Sequence, residues 1–316
     1  MIHEYAIDPE LVVAWGKDPK DCRHFYGEFG LGTSHFMADF PSFKKWRKQF
    51  RQAWARANDN EKKRIDELFC RITEKRVCRL GPDYDDSRTW LENAEKENGR
   101  QAFQAILSTG NPRKHDRVLA ASVFDDSPGN HPLWHVAQQS SSPRMASEMA
   151  ELVAPLLINC TELHFVDPHF SPDNARHRKP LADFLKKATL FRERRPPIKR
   201  IVMHSSYTQE KPSPAFFRQG CEQKLPGIIP KGLQLELKRW QQRDGGEKLH
   251  NRYILTDIGG VKADPGLDEG QDGESFEAIL LDRCLYDKHW NDYVLNPAFD
   301  LAGPPVVITG TACPNR

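Results

Sequence analysis

Three residues in one short stretch, LHNRYILTDIGG at 249–260, have the types and spacing needed for phosphate chemistry. His250 and Arg252 stand two residues apart, and strand residues at i and i+2 point to the same face of a sheet. Histidine can act as a nucleophile or proton carrier near neutral pH, and the planar guanidinium of arginine matches phosphate oxygens. Asp257, at the following turn, can orient a histidine or a cation by hydrogen bonding. The stretch therefore predicts a site that binds or processes phosphate. The alternative interpretation is a half-exposed strand whose polar side chains only face solvent.

The spacing H-x-R-x4-D resembles the H-x-K-x4-D signature of the phospholipase D superfamily, with Arg252 in place of the lysine. In that superfamily the histidine is the nucleophile and forms a phosphohistidine, while the lysine binds the phosphate. The elements from ELHFVDPHF to LHNRYILTD resemble one repeat of that fold, over roughly residues 145–310. More narrowly, the DPHF strand end and the segment 266–268 (Gly-Leu-Asp) resemble the phospholipase D-like domain that ends MIT-domain proteins.

The resemblance implies a metal-independent phosphodiesterase, and a nuclease is the form we expect. His250 would be the nucleophile, Arg252 would hold the phosphate, and Asp257 would fix the hydrogen bonding of the site. Superfamily members use two histidines, whereas this chain holds one complete motif. The second histidine would come from a homodimer that pairs two His250 sites, from His169, or from His115, whose motif HDRVLAAS ends in serine instead of aspartate.

A second group of candidate residues, Asp167 and His169, lies in VDPHFSP, where a buried strand meets a proline turn. Their functional interpretation is an acid that lines the site and a partner histidine. Alternatively, Asp167 only caps the turn, which is a common use of Asp-Pro.

The arginine in place of lysine, and the missing second motif, favour a rival hypothesis. The chain would then be a catalytically inactive module that binds nucleic acid or another polyanion beside a partner protein. Chains that resemble this one often occur in bacterial antiphage-defence or mobile-element systems, so a multi-component complex is the expected setting. Binding to anionic lipid follows only from the MIT-type resemblance, and no membrane partner is expected.

The order of elements predicts the fold class. From residue 145 onward strands and helices alternate, which is typical of an α/β domain, and we expect a phospholipase D-like mixed sheet layered with helices over 145–316. The pattern of residues 1–110 predicts a mostly helical N-terminal region. The Pro/Gly/Ser-rich residues 111–144 are expected to connect the two. Ligands collect beyond strand ends in such sheets, where VDPHF and His250 would lie.

A basic helix is the candidate nucleic-acid-binding element. In PSFKKWRKQFRQAWARAND, aromatic residues recur at steps of three and four, which predicts a core-facing stripe of Phe43, Trp46, Phe50 and Trp54. Residues 41–80 hold 13 Lys+Arg against 5 Asp+Glu, whereas the whole chain carries only +2. The basic side of this helix would either bind the phosphate backbone of a nucleic acid or only face solvent. The basic residues proposed for binding are Lys44, Lys45, Arg47, Lys48 and Arg51.

Composition indicates a globular protein, with 38% apolar and 28% charged residues. No run approaches the roughly 20 apolar residues of a membrane span, and the first residues lack the basic start of a signal peptide. The seven cysteines are scattered without CxxC spacing, so we expect neither a zinc ribbon nor a disulfide framework. No P-loop or GxGxxG stands at a strand–helix junction. A cytoplasmic protein without cofactor or metal is expected.

Overall fold

The computed structural model describes residues 1–126, 131–192 and 195–313. The chain divides into two compact units, Met1–Gln138 and Gln139–Arg316. Among the described residues, no helix combines the length and the apolar character that crossing a bilayer requires.

The N-terminal unit contains a five-stranded sheet of order β3-β2-β1-β4-β5, in which every pair of neighbours is parallel. Its strands are β1 His3–Ile7, β2 His35–Asp39, β3 Arg76–Cys78, β4 Ala105–Ser108 and β5 Val118–Ala120. Its helices are α1 Pro9–Lys17, α2 Pro19–Glu28, α3 Phe43–Trp54, α4 Asp59–Thr73, α5 Trp90–Arg100 and α6 Val123–Asp126.

Helices cover both faces of this sheet because alternate strand residues point to opposite sides. Tyr5 and Ile7 of β1 belong to an apolar cluster that includes residues of α1 to α4. Ala6, between them, belongs to a separate cluster with Trp90 and Ala94 of α5. A parallel sheet buried on both faces is the arrangement of doubly wound α/β folds.

The expectation of a mostly helical N-terminal region needs correction, because it omitted the sheet around which the helices pack. The strands have only three to five residues. Short apolar runs of that length cannot be told from buried helix segments by periodicity. The expected connecting region, 111–144, contributes β5 and α6 to the N-terminal unit and β6 to the C-terminal unit; residues 127–130 of it lie outside the described residues.

The basic helix α3 forms as its periodicity predicts, with Ser42 as its N-cap. Trp46 and Phe50 are buried, and the Trp46 indole N–H donates to the carbonyl oxygen of Ile7 at 2.6 Å. Phe43 and Trp54 are partly buried against the same core. The prediction that this aromatic stripe belongs to the core is confirmed.

The C-terminal unit is a mixed sheet with helices, so the predicted α/β class is confirmed at that level. The sheet has nine strands in the order β13-β9-β8-β7-β10-β11-β12-β6, with β14 also paired to β9. The strands are β6 Gln139–Pro143, β7 Glu162–Val166, β8 Arg200–Ser206, β9 Gln234–Gln241, β10 Tyr253–Thr256, β11 Gly259–Asp264, β12 Ser275–Leu280, β13 Asp300–Leu301 and β14 Val306–Thr309. The helices are α7 Ala146–Leu152, α8 Ala154–Asn159, α9 Ala175–Thr189, α10 Pro214–Lys224 and α11 Arg283–Trp290, followed by a π-helical turn, Asn291–Leu295.

Strands β7, β8 and β9 run parallel, so their carboxyl ends meet at one edge of the sheet. Strand β10 lies antiparallel beside β7, which brings its amino end to the same edge. On one face Phe165 stacks on Phe184 of α9, and on the other His164 meets Trp290 of α11 edge to face. The two helical layers leave the strand ends open, and the candidate site lies there.

Candidate functional site

The turn after β7 is built by the carboxylate of Asp167, which is 1% exposed. One of its oxygens accepts from the His169 backbone N–H at 2.8 Å, and the other accepts from the Leu267 N–H at 3.1 Å. The carboxylate therefore holds the DPHF turn against the segment 266–268. Asp167 adjoins the site but its oxygens bind backbone donors, which agrees with the turn-capping alternative.

The segment 266–268 is fixed from its other side by an arginine. Arg144 Nε donates to the carbonyl oxygen of Asp268 at 3.0 Å, and its Nη2 pairs with the Asp268 carboxylate. Its remaining nitrogen, Nη1, donates to Glu274 at 3.1 Å. A Cβ at Gly266 would come within 2.7 Å of Asp268 Oδ1, so a larger residue at this position would displace the carboxylate that Arg144 binds.

His250 and Arg252 reach the same edge of the sheet, although the strand is shorter than expected. Strand β10 begins at Tyr253, so both residues precede it. Arg252 still continues the ladder, because its carbonyl oxygen accepts from Ala263 N–H at 2.9 Å. The expectation that His250 and Arg252 share one strand face is corrected: they belong to the extended approach to the strand.

The Arg252 guanidinium is available to an anion. Its Nε is buried and has no hydrogen-bond partner in the described part of the chain, where no carboxylate pairs with it either. A buried guanidinium donor without an acceptor is costly. Because the Nε is closed to solvent, a phosphate would be held by Nη1 and Nη2 of this partly buried side chain.

His169 lies within electrostatic reach of both residues. Burial is the largest cause of a lowered pKa for the His169 imidazole, and the positive charges of Arg252 and Lys211 lower the pKa further. The Asp167 carboxylate raises this pKa, and His250 lowers it by the smallest amount. The side chain of His169 is nevertheless exposed to solvent. The structure thus brings two histidines and one arginine of a single chain together, with His169 favoured in its neutral form.

Two further cations at this edge were not predicted from the sequence. Lys211 lies in the loop after β8, and its ammonium donates to Ser206 Oγ at 2.6 Å, to Ser206 O at 3.2 Å and to the Pro168 carbonyl. Burial lowers the pKa of Lys211. Arg239 of β9 is 7% exposed, its Nη1 donates to Pro212 O at 2.6 Å, and its Nε has no partner among the described residues. In the sequence, only the position of Lys211 and Arg239 near the end of a parallel strand indicated that they could belong to the site.

Beside the cations lies a small pocket with aromatic walls, of about 130 Å³. The Arg239 guanidinium sits between the rings of Tyr207 and Phe217, 4.8 and 4.6 Å from their centroids. Phe216 stands at the pocket with 55% of its surface exposed. The pocket is lined by His169, Phe170, Ser171, Pro172, Asp173, Lys211, Pro212, Phe216, Phe217 and Arg239.

Asp257 does not join this group. It lies in the two-residue turn between β10 and β11, at the opposite end of β10 from Arg252. Five residue-to-residue steps of extended chain lead from Arg252 to Asp257, which is roughly 16 Å. Its carboxylate accepts from Thr161 N, Thr161 Oγ1 and Glu162 N at 2.7, 2.8 and 3.1 Å. The role expected for Asp257, organising the hydrogen bonds of the site, is therefore replaced by a role in holding β10 to the start of β7.

The other predicted residues belong to the N-terminal unit. His115 is tied into its own loop, where its Nδ1 accepts from Arg117 N–H at 3.1 Å. On α3, Lys44, Arg47, Lys48 and Arg51 are exposed. Lys45 differs from them, because its ammonium forms an ion pair with Asp86 at 3.0 Å.

Among the residues that the structure describes, no three His, Cys, Asp or Glu side chains converge as a metal site would require. Comparison with protein-family models gives no match to this chain, and comparison with curated proteins gives none either.

Proposed function

We propose that the C-terminal unit is a phosphodiesterase of the phospholipase D type that acts on single-stranded nucleic acid. The observation that carries the proposal is the grouping of His169 and His250 beside Arg252, whose buried Nε has no acceptor within the described residues. Two imidazoles and a phosphate-binding guanidinium are the groups that a covalent two-step hydrolysis needs.

In the first step the neutral His169 attacks phosphorus, since its lowered pKa leaves the imidazole lone pair free. A P–N bond forms, the P–O bond to the leaving group breaks, and the His250 imidazolium gives its proton to the departing oxygen. In the second step His250 takes a proton from water, the hydroxide oxygen attacks phosphorus, and the P–N bond breaks. The products are a phosphomonoester and free His169. Arg252 holds the non-bridging oxygens in both steps.

This assignment exchanges the roles expected from the motif, in which His250 is the nucleophile. His250, whose side chain is exposed to solvent, regains in the second step the proton that it gives up in the first, so it ends the cycle in the state in which it began.

The aromatic pocket supports nucleic acid as the substrate class. A base can stack on an exposed aromatic ring irrespective of its identity, and such stacking is typical of single-strand binding. Phe216 offers such a ring next to His169 and Lys211, which also line the pocket.

The test compares His169→Ala, His250→Ala and the exposed control His135→Ala on a single-stranded oligonucleotide labelled with ³²P at each phosphate, in EDTA. We expect both site variants to lose about 10²- to 10⁴-fold in cleavage rate, because each removes a proton-transfer or attacking group. Protein denatured with SDS at alkaline pH, which preserves a phosphohistidine, should carry ³²P in the wild type and lose it in His169→Ala. Label that persists in His169→Ala and vanishes in His250→Ala would reverse the two roles, and cleavage that EDTA abolishes would contradict the mechanism.

A second candidate function, binding without cleavage, is favoured by one observation. In the described ranges no carboxylate hydrogen-bonds to the ring of His169 or His250, and the Asp167 oxygens bind backbone amides instead. An unoriented imidazole is a weaker base and nucleophile. Salt-sensitive binding of single strands, with no cleavage at any pH and no covalent label, is the result expected for a binding module that serves a partner protein.

A further inference from the structure

A separate cleft, of about 660 Å³, lies in the N-terminal unit at the carboxyl ends of β1 and β4. The strand order β3-β2-β1-β4-β5 reverses direction between these two strands. In doubly wound sheets this reversal opens a crevice at the strand ends, and ligands bind there. The volume is that of a site for a small molecule.

The floor of the cleft is polar. Asp8 directly follows β1, and its Oδ2 accepts from the hydroxyl of Ser108, the last residue of β4, at 3.2 Å. Its other oxygen accepts from Glu10 N–H at 2.9 Å and caps α1. Burial raises the pKa of Asp8 to about 6, so the carboxylate is ionised at pH 7 and can accept from a ligand hydroxyl. Gln49 and Gln52 of α3 add amide groups to one wall.

The opposite side suits an anion. Thr89 caps α5 in a capping box with Glu92, and its hydroxyl accepts from the Glu92 N–H. Trp90 and Leu91, in the first turn of that helix, line the cleft. Amide groups at a helix N-terminus attract phosphate. Trp90 is 8% exposed, and its indole N–H has no acceptor among the described residues. Arg56 also lines the cleft, and no carboxylate in the described part of the chain pairs with it.

The N-terminus of α1 cannot serve a pyrophosphate in the same way. Its first residue is Pro9, which has no N–H, and the next N–H, that of Glu10, is taken by the Asp8 carboxylate. The turn also lacks the glycines that let a dinucleotide approach the backbone. The cleft therefore has one side that can bind a phosphate, at α5 and Arg56, and a floor where Asp8 can accept hydrogen bonds from hydroxyl groups.

From this arrangement we propose that the N-terminal unit binds a mononucleotide, with its phosphate at Arg56 and the first turn of α5 and its sugar hydroxyls at Asp8. The apolar side chains of Pro9, Ala53, Leu91 and Pro112, which also line the cleft, supply contact surface for the base. This site lies outside the proposed nuclease site and does not depend on it.

The test is isothermal titration calorimetry on the full chain carrying Arg252→Gln, which removes the guanidinium proposed to bind phosphate in the C-terminal unit. The probes are the four ribonucleoside 5′-monophosphates, the matching nucleosides, inorganic phosphate and NAD. We expect at least one monophosphate to bind and to bind at least about tenfold more tightly than its nucleoside or than phosphate. Arg56→Gln should weaken binding about tenfold or more, whereas the exposed control Arg23→Gln should not.

A blocking variant keeps the test independent of charge. A Cβ at Gly110, which lines the cleft, would meet nothing within 4 Å, and the same holds for Gly99 on α5 outside the cleft. Gly110→Leu should abolish binding while Gly99→Leu retains it, with the melting temperature of each as the check on folding. Absence of binding by every monophosphate would overturn the proposal. So would equal affinity for inorganic phosphate, or binding that Gly110→Leu leaves unchanged.

Discussion

The Asp257 carboxylate accepts two hydrogen bonds from Thr161, one from the backbone N–H at 2.7 Å and one from the hydroxyl at 2.8 Å. Thr161 immediately precedes β7, so this contact fastens the β10–β11 turn to the amino end of β7. The third member of the H-x-R-x4-D motif thus acts at the end of β10 that lies away from Arg252. Asp257 therefore has a structural role, apart from His250 and Arg252, for which we propose phosphate chemistry.

Asp257→Ala should therefore destabilise the C-terminal unit and leave ligand affinity unchanged. The change removes an ionised acceptor from three donors, and bonds to charged groups contribute about 1.5–3 kcal/mol. Urea unfolding measures the stability, and oligonucleotide titration of the folded variant measures the affinity. Thr161→Val, which removes only the hydroxyl donor, should cost less. A loss of affinity in a fully folded Asp257→Ala protein would return Asp257 to the site.

Arg252→Gln should weaken binding of single-stranded oligonucleotides by about 10- to 100-fold, because a charged donor pair to phosphate is removed. The slope of log K against log salt should fall by about 1. Fluorescence anisotropy at several salt concentrations measures both quantities. Arg243→Gln is the matched control, since Arg243 is exposed and paired with Asp300 at 2.8 Å; an equal effect of both variants would mean that only net charge matters.

Four of the five basic residues proposed on α3 should contribute to nucleic-acid affinity, and the fifth, Lys45, should contribute little. Lys44, Arg47, Lys48 and Arg51 are exposed, whereas Lys45 is paired with Asp86. Replacing the four with glutamine should flatten the salt slope by about 0.7 for each phosphate of a single strand that the protein no longer neutralises. Lys45→Gln alone should change it least. Unchanged binding in the fourfold variant would remove α3 from the interface.

The C-terminal unit should lose stability in acid through two buried histidines. Trp240 Nε1–H donates to His204 Nδ1 at 2.9 Å, so His204 Nε2 carries the hydrogen and donates to His164 Nδ1 at 3.0 Å. Burial is the largest cause of a lowered pKa in both, to about 3 for His164 and well below the usual value for His204. In the unfolded chain both histidines take up a proton near pH 6.5, whereas in the folded chain they do not. The stability that the neutral pair contributes is therefore fully present above pH 6.5. It falls as the pH drops toward 3, by roughly 2 kcal/mol for His164 between pH 7 and 5, and His204 acts in the same direction.

Urea unfolding between pH 7.5 and 5 checks this pH dependence. His164→Gln should reduce the proton uptake on unfolding by about one, while the exposed control His135→Gln should not. A pH slope in His164→Gln equal to that of the wild type would show that His164 is protonated in the folded state.

Local pattern alone determined several features. The three- and four-residue steps of Phe43, Trp46 and Phe50 predicted α3 and its buried face, because a helix repeats every 3.6 residues. The alternation of apolar strands and amphipathic helices after residue 145 predicted an α/β unit. The α/β pattern also placed VDPHF and His250 at the strand ends, where ligands collect in such sheets, whereas the shared strand face predicted from the spacing of His250 and Arg252 was wrong.

Only the tertiary structure decided the rest. Strands of three to five residues leave too little periodicity to be recognised, and their parallel partners lie tens of residues away in the chain, as Tyr5 and Ala105 do. The N-terminal sheet and its cleft could not be predicted for that reason. Lys211 and Arg239 became part of the site through strand order, which brings the ends of β8 and β9 beside β7. Asp257 was separated from it because a four-residue strand sets the two ends of the motif on opposite edges of the sheet.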